Sequence, residues 1–339
     1  MRYVLRRGYG VAPTLAGVLV VTFLITHCLP GDPAVFFASN PSMDAGAVAA
    51  IREKLGLDLP LWRQFFLYVA QVAHGDLGQS ITTGQPVARD LMRLLPASME
   101  LTICAFALAN LIALPLGIAA ALRPRSLMDH ACRIISTAGV SLPTFVTGLV
   151  LIYVFYYLAD IAPEPIGRID AFAVPPPRVT GFFLVDTLLS GDARGFVMAA
   201  KQIVLPALTM ALFALAPLAR MTRAAMLGVL SADFIRAARA NGLSASTIVF
   251  TYAFRNAMLP VVTTLGMVFS YMLGANVLVE KVFAWPGIGS YTLDALMALD
   301  YAPVQGFMLM MAAIFVAINL LIDVVYALID PRAELDADA

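Results

Sequence analysis

The sequence predicts an all-α integral membrane protein, and three observations carry that prediction. Of its 339 residues, 60% are hydrophobic and only 13% are charged, about half the ~25% charged residues of a soluble globule, and the mean hydropathy is +0.84. Six stretches lack Asp, Glu, Lys and Arg over roughly the ~20 residues that cross a bilayer. Polar segments carrying Pro, Gly and Arg separate them.

The six expected spans are Gly8 to Leu29, Leu101 to Leu122, Ile134 to Ala159, Gln202 to Ala219, Asn256 to Val279 and Tyr301 to Ile322. The fourth is the shortest. The first follows Arg2, Arg6 and Arg7 like a signal peptide, but its apolar run exceeds the ~7–15 residues of such a segment and no small-residue cleavage site follows, so it reads as a retained helix. Pro30-Gly31-Asp32-Pro33 ends it abruptly. Outside the membrane, an amphipathic helix is expected from Met43 to Leu55, capped by Ser42, then an apolar helix from Pro60 to Val72 and a turn from His74 to Ser80. A second outer loop, Asp160 to Lys201, is extended where Pro163, Pro165 and Pro175 to Pro177 fall, with Thr180 to Asp192 along the membrane surface. A third begins with a Trp285-Pro286-Gly287 turn and continues as a short helix from Gly289 to Leu299.

Charge sets the orientation. With the N-terminus inside, cytoplasmic segments hold 12 Lys/Arg against 7 acids, and outer segments 10 against 15. Long loops weigh little in this rule, so the short stretch bearing Arg123, Arg125 and Arg133 decides it, and both termini are expected in the cytoplasm. The expected division is a first transmembrane helix (1–30), an extracytoplasmic region (31–99), a five-helix core (100–330) and a cytoplasmic tail (331–339). The core includes a polar cytoplasmic loop at 226–258.

That loop breaks the apolar pattern and reads as two short helices hinged at Gly242, the first capped by Ser231 and the second by Ser244. It offers a handle to a soluble partner.

Much chemistry is missing. The three lysines, Lys54, Lys201 and Lys281, do not follow a glycine, so no phosphate-cradling G-x-x-x-x-G-K-[ST] loop exists. No G-x-S-x-G elbow and no H-E-x-x-H occur. Cys28, Cys104 and Cys132 lie far apart, as do His27, His74 and His130, so neither a disulfide framework nor a metal site is expected. Zero net charge argues against nucleic acid as a partner. Asn319 and Asp323, four apart and hence on one helix face, either line a path or find partners near the inner interface. Glu100, Asn110, Asn276 and Glu280 either meet a polar substrate or, for the two acids, sit at the interface. Gly266, Gly274 and Ala275 permit close helix packing.

The motif RAARANG (Arg236 to Gly242), followed by Leu259-Pro260, resembles the cytoplasmic coupling loop of ABC importer permeases. The acid that usually opens it is replaced by Arg236-Ala237-Ala238, as in the peptide/nickel branch. Matches recur in order: YVLRR at the start, PGDP at 30–33, HGDLGQS at 74–80, Gly167-Arg168, TGFFLVDT at 180–187, RMTRAAMLGVL at 220–230, RNAMLPVVT at 255–263, WPGIG at 285–289 and NLLIDVVYALIDPR at 319–332. The resemblance is to the dipeptide/oligopeptide/nickel permeases, close to the dipeptide B-type subunits.

It implies a type I ABC importer permease architecture. The implied partners are a second, homologous permease, two cytoplasmic ATPases that carry ATP and Mg, and an extracytoplasmic peptide-binding protein. The chain itself would hold no cofactor and have no catalytic residue. Asp233, Phe234, Ile235, Arg236, Ala237, Ala238, Arg239, Gly242 and Leu243 would form the ATPase-coupling segment, with Phe234 and Ile235 as apolar anchors and the arginines reaching outward. Dipeptides or short peptides are the expected cargo, with glutathione or a nickel chelate as the alternative. A stand-alone secondary transporter would need buried ionisable pairs or broken helices, and an intramembrane hydrolase would need a nucleophile and base such as Ser141 and His130.

Overall fold

Prolines and glycines set where the helices begin and end. The computed structural model describes residues 13–25, 58–170 and 172–329, and every regular element among them is helical. In chain order these are α1 (Pro13–Ile25), α2 (Leu61–Ala73), α3 (Val87–Leu122), α4 (Leu127–Ser141), α5 (Thr144–Leu151, continued by a π-helical stretch Ile152–Leu158) and α6 (Phe183–Leu189). Then follow α7 (Ala193–Leu230), α8 (Asp233–Ala240), α9 (Arg255–Val282, led in by a π-helical stretch Thr247–Phe254), α10 (Ile288–Met297) and α11 (Tyr301–Ile329). The expected PGDP stop and the Met43 to Leu55 helix lie outside the described residues.

Four of these helices are long and apolar enough to cross a membrane: α3, α7, the continuous Thr247–Val282 helix and α11 over Tyr301–Val325. They coincide with the second, fourth, fifth and sixth expected spans. The third expected span is corrected. Ile134 to Ala159 is not one helix but two, because Leu142 leaves the helical region (φ −113°, ψ 141°) and Pro143 starts a new helix. The residue before a proline is driven out of the α conformation, so the break is local chemistry. The fourth span, shortest by composition, becomes the longest helix at 38 residues, and 72% of its apolar window is buried. It absorbs Pro206 and Pro217 in its interior, as membrane helices do when neighbours re-satisfy the freed backbone groups.

The chain forms two compact units, one drawing on Met1–Pro96 and Pro286–Val316, the other on Ala97–Trp285 and Ala317–Ala339. In the first, Val87, Leu91 and Ile288 form the core, and a Cβ on Gly306 would fall 2.6 Å from Val87 Cγ1. Two carboxylates fasten the turn that follows α2. Asp300 accepts from Ser80 Oγ at 2.7 Å and from the Thr82 amide at 3.0 Å, while Asp90 accepts from Thr83 Oγ1 at 2.6 Å and from the Tyr291 hydroxyl at 3.3 Å. Burial pushes the Tyr291 phenol up to about 12.

In the second unit α7 is the spine, with α4, α5, α6 and α9 packed on it. Small residues permit this: Ala105, Ala109 and Ala113 of α3 and Ala207, Ala211 and Ala214 of α7 are all buried, the pattern of membrane helices whose backbones approach closely. Gly139 of α4 lies against backbone, since a Cβ there would be 2.5 Å from the Leu212 carbonyl oxygen. Gly266 packs on Ile322 as expected of a packing glycine, whereas Gly274 has open space beside it; only the former limits helix approach.

These contacts separate two glycines by their consequences. Gly139→Ala is expected to lower the unfolding midpoint in detergent, by the ~1–3 kcal/mol typical of overpacking. Gly228→Ala, where a Cβ meets nothing within 4 Å, should leave the midpoint unchanged or raise it by up to ~1 kcal/mol.

Candidate functional site

The loop singled out by its arginines takes a definite shape. α7 ends at Leu230, and Ser231 donates back to the Gly228 carbonyl at 2.8 Å. Ser231 therefore does not cap the next helix, as the sequence suggested; the cap position of α8 is Ala232, without a side-chain bond. What favours α8 instead is charge. Asp233 stands in its first turn and Arg239 in its last, each complementing the helix dipole, and Asp233 pairs with Arg236 on the exposed surface.

At its far end α8 closes as expected. Gly242 has φ +71°, the Leu243 amide donates to Ala238 O at 3.2 Å and the Gly242 amide to Arg239 O at 3.0 Å, the paired bonds of a left-handed C-terminal cap. Ser244 Oγ then accepts from the Thr247 amide at 3.3 Å. The helix that follows is not short: Thr247–Phe254 runs directly into α9. The loop is thus one short helix followed by the N-terminal end of a long one.

The faces of α8 also differ from expectation. Ile235 is fully buried and Ala238 nearly so, packed with Met226, Ala121, Ile248, Ala253 and Ala257. Ile235 anchors α8 to its own chain and is not presented to a partner. The outward face carries Phe234, 44% exposed, and Leu243, 37% exposed, with Arg236, Ala237, Arg239 and Gly242 also exposed. Seven of the nine expected coupling residues, all but Ile235 and Ala238, therefore reach solvent. Asn319 and Asp323 sit one turn apart on α11, half-buried and buried, and neither is without a partner.

Two carboxylates have roles the sequence reading did not assign. Asp129, at the start of α4, is inaccessible to solvent. It accepts from Arg133 Nη2 at 2.9 Å, from Arg223 Nε at 2.6 Å and Nη2 at 3.1 Å, and from the Arg125 amide at 2.9 Å. The hydrogen bonds from Arg133 and Arg223 hold its carboxyl well below the usual range. This brace fixes the turn between α3 and α4 to the C-terminal part of α7, the helix that leads into α8.

Glu100 is the second. Both its oxygens are used: Oε2 by Arg168 Nη2 at 2.5 Å and Oε1 by the Leu184 amide at 2.7 Å, at the start of α6. Arg168 also donates to the Gly181 carbonyl at 2.8 Å and lies 3.5 Å above the Phe183 ring. Burial pushes the guanidinium down from its ordinary value, against the pull of Glu100. Beside it, burial of Asp186 is outweighed by bonds from the Thr180 amide and hydroxyl and the Gly181 and Val179 amides, which lower its carboxyl. Glu280 accepts from Ser98 Oγ at 2.5 Å, Asn276 spends its amide donors on Ser98 O and Thr102 Oγ1, and Trp285 Nε1 donates to Ala97 O at 2.9 Å. Glu100 and Glu280 are therefore buried and bonded within the chain: Glu100 ties the loop bearing Arg168 to α3, and Glu280 ties α9 to α3. The Gly167-Arg168 pair in a proline-rich loop was the available signal, but its partner is 68 residues away. Among the described residues no group of His, Cys, Asp and Glu suits a metal ion.

Arg168→Met should cost the ~3–5 kcal/mol of a stranded buried charge, and adding Glu100→Gln should recover more than half, both read as unfolding midpoints. Asp129 has a folded-state value below that of the unfolded chain. Its stabilisation is therefore complete above ~pH 4 and lost as pH falls through the depressed value. Asp129→Asn should flatten the acid limb of a stability–pH curve below ~pH 4.

Residues 113–335 match the family described as binding-protein-dependent transport system inner membrane component, and residues 1–102 match the N-terminal part of such membrane components. Full-length relatives agree. The chain is 45% identical to the "Probable D,D-dipeptide transport system permease protein DdpB" of Escherichia coli, covering 96% of each. It is 40% identical to the di/tripeptide transport system permease protein DppB of Pseudomonas aeruginosa, covering 98% of each. It is 36% identical to the glutathione transport system permease protein GsiC of Escherichia coli, again covering 98% of each. With nearly its whole length accounted for, the chain belongs to the binding-protein-dependent inner membrane components, the permeases of ABC importers.

Proposed function

We propose that this chain is the transmembrane subunit that carries dipeptides or short peptides across a bacterial cytoplasmic membrane, driven by ATP hydrolysis in partner subunits. It spans the membrane six times with both termini cytoplasmic. It pairs with a second, homologous permease, receives cargo from an extracytoplasmic peptide-binding protein and rests on two cytoplasmic ATPases, which hold the nucleotide and its Mg. The chain contributes no catalytic residue.

One observation carries the mechanism: α8 is fixed to its own chain on one face and bare on the other. Phe234 and Leu243 are the apolar contacts for a groove on an ATPase, with Arg236 and Arg239 reaching acidic or carbonyl partners. Ile235, buried among residues of α7 and the Thr247–Phe254 stretch, turns a push on that surface into movement of whole helices. Closure of the ATPases then tilts α7 and α9 together, a rigid-body change between two packed states. Asn319 and Asp323 flank the cargo path or brace its inner end.

Peptide cargo is supported by the names of relatives at 45% and 40% identity. Glutathione, itself a short peptide, remains a second reading, because the glutathione permease at 36% is as similar as the Escherichia coli dipeptide permease at 37%.

Phe234→Glu tests both halves of the proposal. Its side chain is exposed, so the unfolding midpoint should hold, while co-purification of the ATPases falls by ~30-fold or more, the loss of a ~2 kcal/mol hot spot. Uptake of labelled dipeptide by the assembled transporter should fall with it. Intact assembly and uptake would remove α8 from the coupling role. Uptake of labelled glutathione, uncompeted by excess dipeptide, with no uptake of labelled dipeptide would reassign the cargo.

A further inference from the structure

The brace around Asp129 leaves positive charge over. Between α4 and α7 lies a cleft of about 560 Å³ lined by Cys132, Arg133, Ser136, Thr137, Arg220 and Arg223. Three arginines face one carboxylate there. Arg133 and Arg223 share Asp129, and Arg220 has no acidic partner among the described residues. Within that lining, Ser136 is 2% exposed and its hydroxyl has no oxygen or nitrogen partner; it hydrogen-bonds with the Cys132 thiol. A buried hydroxyl with no oxygen or nitrogen partner, lining the same cleft as a surplus of guanidinium groups, makes a site for an anion with several acceptor oxygens, because each guanidinium presents a planar fork of donors.

The surroundings indicate which anion. Arg220 also lines, with Phe213, Met221, Met267 and Tyr271, a neighbouring apolar cleft, so apolar surface adjoins this arginine. In a membrane permease such surface meets acyl chains. The charge pattern places Arg133 and Arg220 at the cytoplasmic boundary, where the phosphates of the inner leaflet lie, and basic pockets between membrane helices on that side are built to take headgroups.

We propose that the cleft between α4 and α7 binds the phosphate of an anionic lipid headgroup, held by Arg220 and Arg133 with Ser136 completing its hydrogen bonds. The bound lipid ties α4 to α7 ten residues before α7 ends, about 15 Å along the helix from the segment that leads into α8. The proposal rests on the membrane orientation and not on the cargo. Its failure would leave the importer reading untouched.

The test uses the purified full chain in detergent, with the unfolding midpoint followed on titration with phosphatidylglycerol, with phosphatidylcholine of the same chains, and with inorganic phosphate. Wild type should be stabilised by phosphatidylglycerol at concentrations at least tenfold lower than by phosphatidylcholine. Arg220→Gln should abolish that preference, and Arg220→Lys should keep part of it. Ser136→Leu, which removes that hydroxyl and leaves every arginine in place, should abolish it too. Arg63→Gln, on the exposed surface of α2, should leave it intact. Equal response of wild type to the two lipids overturns the proposal, as does a full preference in Arg220→Gln or Ser136→Leu. Stabilisation by inorganic phosphate without any lipid preference would overturn the lipid source and assign the cleft to a soluble phosphate.

Discussion

Polar groups this chain withdraws from water are answered for the most part by the chain itself, because hydrocarbon offers no hydrogen bonds. Along the spans the answer is local. Thr102 donates to Ser98 O, Asn110 to Phe106 O, Thr209 to Leu205 O and Ser270 to Gly266 O, each one turn back on its own helix. Where charge is buried the answer is distant. Glu100 recruits Arg168 from the outer loop and Asp129 recruits Arg223 from α7. A buried pair of this kind adds little to stability by itself, but removing one partner is costly, so each pair acts as a fastening of fixed register between segments far apart in sequence.

The two fastenings divide the labour. Glu100 satisfies an amide at the start of α6 and Arg168 spans from that carboxylate to Gly181, so the proline-rich outer loop has a fixed course although it lacks long regular structure. Asp129 does the same on the side predicted to be cytoplasmic, where α4 and α7 meet. Among the described residues α8 is then held by apolar contact, through Ile235 and Ala238. Ordering two segments with carboxylates and the third with a small hydrophobic cluster leaves the short helix as the element whose outer face is free to engage another surface.

How much of this the sequence disclosed follows from the range of each interaction. Long apolar runs announce themselves because their signal is local and additive, and α3, α7, α9 and α11 were legible for that reason. Gly242 was legible too, since only a residue tolerant of positive φ closes that cap without strain. Failures occurred where two local outcomes compete. Pro143 within an apolar run is compatible with a kinked span or with two helices, and composition does not separate them. Ser231 can cap forward or bond backward, and it bonds to Gly228. Phe234 and Ile235 are equally apolar neighbours, and an eight-residue helix is too short for periodicity to say which turns inward. Glu100, Glu280 and Asp129 were ambiguous for a different reason: their partners lie 68, 182 and 94 residues away, and nothing in a single sequence records such a pairing.

The same constraint bears on selectivity. Hydroxyls and amides that bond back to their own helices have little left to offer a passing peptide, and the acids that looked available at the span ends are consumed by Ser98, Arg168 and the Leu184 amide. A path with few unspent polar groups binds its cargo weakly. On the proposed reading that is what an importer subunit requires, because a site that held a peptide tightly at the midpoint would stall release. Discrimination among peptides then belongs to the extracytoplasmic binding protein, and the permease contributes a route whose shape is changed from below through α8. The distribution of hydrogen bonds along these helices thus argues for a conduit moved by others over a carrier that selects for itself.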